Sequence, residues 1–134
     1  MLRLFEHFKV GNTVAVLFPA SRQLVDGSIA VDIHYTDTVL IMPLKLEEAL
    51  AMNRLAIEFV NRDGTPRKCH ACGKVKENLS QCGRCVLFGY CDRECQVKAW
   101  DDHKKFCKVL KDVNVRSLML MDFNQTWDSI LAFE

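Results

Sequence analysis

Seven cysteines stand between Cys69 and Cys107, in the order Cys69, Cys72, Cys82, Cys85, Cys91, Cys95 and Cys107, and His103 precedes the last by four positions. The remainder of the 134 residues holds no cysteine. Thiolates and imidazoles are ligands of structural zinc, which takes four of them in a tetrahedron, so eight such side chains match two ions. They fall into four pairs: Cys-x2-Cys, Cys-x2-Cys, Cys-x3-Cys and His-x3-Cys. A two-residue gap lets both sulfurs of a tight turn reach one ion, and a three-residue gap on a helix puts two ligands one turn apart on one face. Gly73 after Cys72 and Gly83 after Cys82 suit backbone that turns tightly around a metal. Each pair is half a tetrahedron, and spacing leaves open whether the halves join in sequence or interleave.

Two other readings of the cysteines fare worse. Buried free thiols would have to explain all seven in paired spacing. Disulfides would leave one of an odd number unpaired, and the start MLRLFEHFKV carries Arg3, Glu6 and Lys9 where a secretory leader would be apolar. Zinc thiolates in a reducing compartment are expected, hence an intracellular protein of nucleus or cytoplasm. The longest apolar runs, such as Val39 to Leu44 with Pro43 inside, fall far short of the roughly 18 to 20 residues that span a bilayer, so no membrane partner is expected. His70, between two ligands, is expected to face solvent rather than the ion. His7 and His34 lack ligand-type neighbours and read as surface or core groups.

The formal net charge is +1, and two zinc ions with seven thiolates would bring it to about −2. Residues 67–108 carry ten basic and five acidic side chains. That local excess offsets the anionic metal centres and is smaller than a nucleic-acid surface normally shows.

The elements that must position these ligands read as α+β. Residues 1–66 form a part with small strands and a helix, 67–108 the metal-binding finger, and 109–134 a C-terminal apolar packing segment. Thr13 to Phe18, Ser28 to Ile33 and Val39 to Met42 are rich in β-branched and apolar residues, and Asp26-Gly27 suggests a tight hairpin turn. Tyr35-Thr36-Asp37 makes a second turn. From Leu46 to about Asn61 the composition is helix-forming, with Leu46, Ala49, Leu50, Ile57 and Val60 on one face and Met52, Leu55 and Phe59 on another, which predicts a mostly buried helix. Asn61 to Pro66 is a stop and short linker. Near the end, Leu118, Leu120, Met121, Phe123, Trp127, Ile130, Leu131 and Phe133 are too apolar for a free tail and are expected to pack back on the N-terminal strands and helix.

Between Cys69 and Cys107 the large apolar side chains are few, while ordering costs on the order of 1–2 kcal/mol per residue. Structural zinc contributes about 10–16 kcal/mol per site in finger peptides, so the metal-free finger is expected to be largely unfolded.

The eight ligand positions, with the run CQVKAW from Cys95 to Trp100 and the following His103, resemble the MYND-type zinc finger. The resemblance covers about 40 of the 134 residues. It implies the interleaved order: Cys69, Cys72, Cys91 and Cys95 on one structural Zn2+ ion, and Cys82, Cys85, His103 and Cys107 on the other. The flanks, with Asp26 to Ser28 and a Pro-then-Leu/Glu helix, are similar to a group of fungal MYND-type proteins.

Four protein ligands per ion leave no open coordination position to activate water. The chain shows no P-loop, no dinucleotide-binding glycine pattern and no Gly-x-Ser-x-Gly. MYND fingers also occur inside lysine methyltransferases, but the motifs of the SET domain are not visible here, so no enzyme is expected. What the resemblance implies is binding of a protein partner through a proline/leucine-containing peptide added as a strand, with Val86, Leu87, Phe88 and Tyr90 along the edge and Gln96 and Trp100 in the groove. Gly83 departs from the serine of some peptide-binding members. A purely structural finger that pins its flanks, and a nucleic-acid-binding regulator using Lys74, Lys76, Arg84, Arg93, Lys98, Lys104 and Lys105, remain as alternatives.

Overall fold

The computed structural model describes Glu6, residues 8–122 and Phe133. His7 and the tail residues Phe123, Trp127, Ile130 and Leu131 lie outside the described residues. The rest falls into two compact units, 8–46 with Phe133 and 47–122.

In the first unit β1 (Thr13–Val16) pairs antiparallel with β4 (Val39–Met42), from Thr13 opposite Met42 to Val16 opposite Val39. The buried side chains Leu17, Val39, Leu40 and Met42 come from these strands and their ends. The Thr13 hydroxyl donates to the Leu44 carbonyl at 2.7 Å, closing the open end of the pair. Between them β2 (Ala20–Gln23) and β3 (Ile29–Asp32) form a second antiparallel hairpin. Its turn is the one expected at Asp26-Gly27: Gly27 takes φ 88°, and the Asp26 carboxylate accepts from both the Ser28 amide and hydroxyl. β2 escaped the sequence reading because Ala-Ser-Arg-Gln has no apolar alternation, and all four residues are exposed. A short 3-10 turn at Thr36–Thr38 leads into β4.

The second unit begins with most of α1 (Leu46–Phe59). This helix is less buried than its composition predicts. Ala49, Met52 and Ala56, with Val60 just beyond, form one buried row, while Leu46, Leu50 and Ile57 are exposed. The helix buries a single stripe, and two alanines in that stripe let it approach its neighbours closely. Its end is folded back rather than left as a loose linker: the Arg67 amide donates to the Phe59 carbonyl at 2.8 Å and Asn61 to the Thr65 carbonyl at 2.8 Å.

The finger follows, with β5 (Ser80–Gln81), β6 (Gly89–Tyr90) and α2 (Arg93–Leu110). Asp92 caps α2 by accepting from the Cys95 amide at 2.9 Å. The buried residues Ala99, His103, Cys107 and Leu110 share one face of it. α3 (Val113–Leu120), capped by Asp112, completes the unit. The Arg116 guanidinium donates to the Leu110 and Lys111 carbonyls at the end of α2, answering groups that a helix terminus leaves unpaired. Met119 and Leu120 line a small cavity of about 80 Å³ with Ala56, Ile57 and Val60 of the α1 end. Met119 and Leu120 thus stand beside the end of α1. At Phe133 the amide donates to the Asp37 carbonyl at 2.7 Å.

No described helix is long and apolar enough to cross a membrane.

Candidate metal centre

Each ligand pair is set by its own local structure. Cys69 and Cys72 lie on a tight turn, with the Gly73 amide donating to the Cys69 carbonyl at 2.8 Å and Gly73 at φ 73°. Cys82 and Cys85 form the equivalent turn, in which the Val86 amide donates to the Cys82 carbonyl at 2.9 Å. Val86 stands where the first turn has glycine, and it adopts φ 51°. Cys91 ends the hairpin and Cys95 opens α2, while His103 and Cys107 sit one turn apart on its buried face.

The structure brings these pairs together in alternation. Cys69, Cys72, Cys91 and Cys95 form one group, and Cys82, Cys85, His103 and Cys107 the other, with the ligand atoms in each lying within 4.8 Å of one another. The sulfurs of Cys72 and Cys91 are 3.5 Å apart and those of Cys82 and Cys107 3.7 Å. The His103 Nε2 stands 3.6 Å from the Cys85 sulfur. A tetrahedron with zinc–sulfur bonds of about 2.3 Å has edges of about 3.8 Å, and a sulfur–nitrogen edge is about 3.5 Å. The other imidazole nitrogen, Nδ1, is buried without a hydrogen-bond partner, so Nε2 is the atom turned toward the sulfurs.

Charge argues in the same direction. Burial pushes the Cys69 thiol up, but the amides of Cys72, Cys91 and Ala71 bring it down to about 6. Burial, then the Cys69 sulfur beside it, pushes Cys95 up to about 12. Burial, followed by Cys85 and Cys82, pushes Cys107 to about 12. One thiolate forms readily and its neighbours resist a second negative charge, so a full set of anionic ligands needs a cation at its centre. The two groups fit two zinc ions. An ion bound there would supply cross-linking charge, held by Cys69, Cys72, Cys91 and Cys95 in one group and by Cys82, Cys85, His103 and Cys107 in the other.

His70 is not among the ligands, and it does not face solvent as expected. Its ring packs 4.5 Å from Phe88 and 4.8 Å from Phe59, centre to centre, and its Nδ1 lies 3.4 Å from the Tyr90 hydroxyl. Alternation from Cys69 turns it to the opposite side, into an aromatic cluster with His103. His34, by contrast, is exposed.

The stretch Val86 to Tyr90 also differs from the expected edge. β6 lies between two neighbours: Gln81 pairs with Gly89 on one side, and on the other Cys69 bridges Gly89 while the His70 amide donates to the Gly89 carbonyl at 2.9 Å. Leu87, Phe88 and Tyr90 are buried, and only Val86 is exposed. The unbroken run Leu87-Phe88-Gly89-Tyr90 is the pattern of a strand covered on both faces. Gln96 and Trp100, one turn apart on α2, are partly exposed, and the Arg84 guanidinium lies 5.4 Å from the centre of the Trp100 ring.

Residues 69–107 match the MYND finger family. The chain is 49% identical over 43 residues to the human histone-lysine N-methyltransferase SMYD1, a stretch that is 32% of this chain and 9% of that protein. It is 46% identical over 48 residues to human histone-lysine N-methyltransferase SMYD3, covering 36% and 11%. To the N-lysine methyltransferase SMYD2 of Rattus norvegicus it is 51% identical over 42 residues, covering 31% and 10%. The chain thus covers about a tenth of the length of these relatives, in their finger segment. No solved structure matches it.

Proposed function

We propose that the finger is a protein-interaction module of an intracellular protein, held by zinc, that takes a short proline- and leucine-containing peptide in extended form. The observations that carry this reading are the partly exposed Trp100 ring of α2 beside Arg84, and the outer side of β5, which faces away from its hairpin partner β6. Cys82 donates to the Phe88 carbonyl, so by antiparallel alternation the polar backbone atoms of Gln81 point away from β6, where an added strand would pair. An open groove of about 560 Å³ borders the same strand, lined by Pro66, Arg67, Lys76, Glu77, Leu79 and Gln81. We therefore place the pairing edge at Ser80–Gln81 rather than Val86 to Tyr90; Gln96 and Trp100 are not among the residues that line this groove and stay in the reading as peptide contacts from α2.

Fluorescence anisotropy of labelled proline/leucine peptides against the zinc-loaded chain tests this. Binding should weaken about tenfold in Trp100→Ala and less in Gln96→Ala, with metal content unchanged. Failure of every peptide in a proline-rich array overturns the reading.

A second role, pinning the flanks, is favoured by contacts from α1 and the following turn. Phe59 meets His70, Lys68 pairs with Glu58 at 3.0 Å, and Pro66 covers Gly89. It predicts faster amide exchange in α1 after zinc removal. The basic residues of the finger are partly engaged already, since Lys98 pairs with Glu94, Lys104 with Asp101 and Lys105 with Glu48. That leaves less free charge for nucleic acid.

A further inference from the structure

The two ligand groups are unequal in their access to solvent. Cys82, Cys85, His103 and Cys107 are 1, 0, 0 and 1% exposed. The rings of His70, Phe88, Tyr90 and Trp100 stand around His103, with centres 5.2–6.1 Å away. In the other group only Cys69 is buried, Cys91 and Cys95 are partly exposed, and Cys72 is exposed. A chelator or thiol reagent has to reach a ligand atom before it can displace it, and reactivity of a thiolate follows access as well as charge.

We propose that the two centres are lost in order, with Cys72 as the point of attack and a modification site, and that the chain passes through a stable form holding one ion on Cys82, Cys85, His103 and Cys107. The topology divides the finger accordingly. Cys82 and Cys85 follow β5, and His103 and Cys107 lie in the second half of α2, so the buried group is by itself enough to tie the hairpin to the helix. The exposed group ties the 69–73 turn to the end of the hairpin and the start of α2. The Cys69-His70 backbone that bridges Gly89, and the His70 ring against Phe59, depend on that second tie. Loss of the exposed centre therefore loosens the contact between α1 and the finger, while Gln81, Arg84 and Trp100 stay assembled on the buried one.

The inference rests on the fit of both groups to zinc and is independent of peptide binding. Its test is stepwise EDTA addition to the full zinc-loaded chain, followed by native mass spectrometry, with a short iodoacetamide pulse at each step. In the pulse a free thiolate sulfur forms a bond to carbon as iodide leaves, marking each released ligand. A one-zinc species should become the main form, and in it Cys72, Cys91 and Cys95 should label about tenfold or more faster than Cys82, Cys85 and Cys107. Direct passage from two ions to none, or labelling that is even or begins at the buried cysteines, overturns the proposal. As a second measurement, Cys72→Ser should hold one zinc and keep the helical circular-dichroism signal; a variant that holds none also overturns it.

Discussion

Pro66 lies so close over Gly89 that a Cβ built on the glycine would sit 2.5 Å from the proline Cβ and 2.7 Å from its Cγ, with the Leu79 Cβ at 3.1 Å. Twenty-three positions separate the two residues, and their contact seats the segment after α1 on the hairpin of the finger. Gly89→Ala should therefore cost about 1–3 kcal/mol by overpacking. Gly83→Ala, where a Cβ meets nothing within 4 Å, should change stability by less than about 0.5 kcal/mol. Thermal unfolding of the zinc-loaded variants measures both. Equal effects would show that the crowding at Gly89 is not felt.

The second Cys-x2-Cys turn carries Val86 at φ 51°, where the first has Gly73 at φ 73°. A left-handed conformation costs an L-residue roughly 1–2 kcal/mol, while glycine adds about 0.5–1 kcal/mol of unfolded-state entropy. Val86 is exposed, so little packing is lost on truncation. Val86→Gly should stabilise the protein by about 0.5–1 kcal/mol, and Gly73→Val should destabilise it by more than that. Denaturant midpoints at fixed zinc decide, and a destabilised Val86→Gly would contradict the strain.

His70 and His103 lie in one aromatic cluster with ring centres 5.5 Å apart, yet only His103 belongs to a ligand group. His70→Ala should keep two zinc ions per chain and lose about 1–2 kcal/mol through the space left beside Phe59 and Phe88. His103→Ala should bind one fewer. Metal analysis with thermal unfolding separates the two, and loss of zinc from His70→Ala would make it a ligand.

Burial, with His70 adding to it, brings the His103 imidazole down from its ordinary 6.5 to about 4. Between those values the unfolded chain takes up a proton that the folded chain refuses. The stability carried by the neutral imidazole is complete above about pH 6.5 and is lost as pH falls toward 4. Protonation of the thiolate ligands acts in the same direction. Zinc release, followed with a coloured indicator as pH is lowered from neutral, should rise steeply below that upper value; a flat profile through the window would contradict it.

The parts legible in the sequence are those whose cause is local. The Asp26-Gly27 turn follows from the backbone freedom of glycine and the reach of the Asp26 carboxylate to Ser28. α1 follows from helix-forming composition, and its observed start is the expected Leu46. Its buried row was not legible, because Leu46, Leu50 and Ile57 are as apolar as Ala49, Met52 and Ala56, and only the neighbours decide which stripe is covered. β2 was not legible either, since it becomes a strand by pairing with β3 and has no apolar pattern of its own.

At the metal centre the sequence by itself determined the number and kind of ligands and their division into four half-sites, because a Cys-x2-Cys turn or two ligands one helical turn apart are properties of a few consecutive residues. Which halves share a centre was decided by the tertiary structure, which carries Cys69 across 22 positions to Cys91 and Cys82 across 25 to Cys107. The same long-range pairing places the His70 backbone along Gly89 and so turns an expected edge strand into an interior one. It also sinks one group of ligands into the core and leaves Cys72 at the surface. Spacing sets what each turn can hold, and packing between distant turns sets what water, metal and partner can reach.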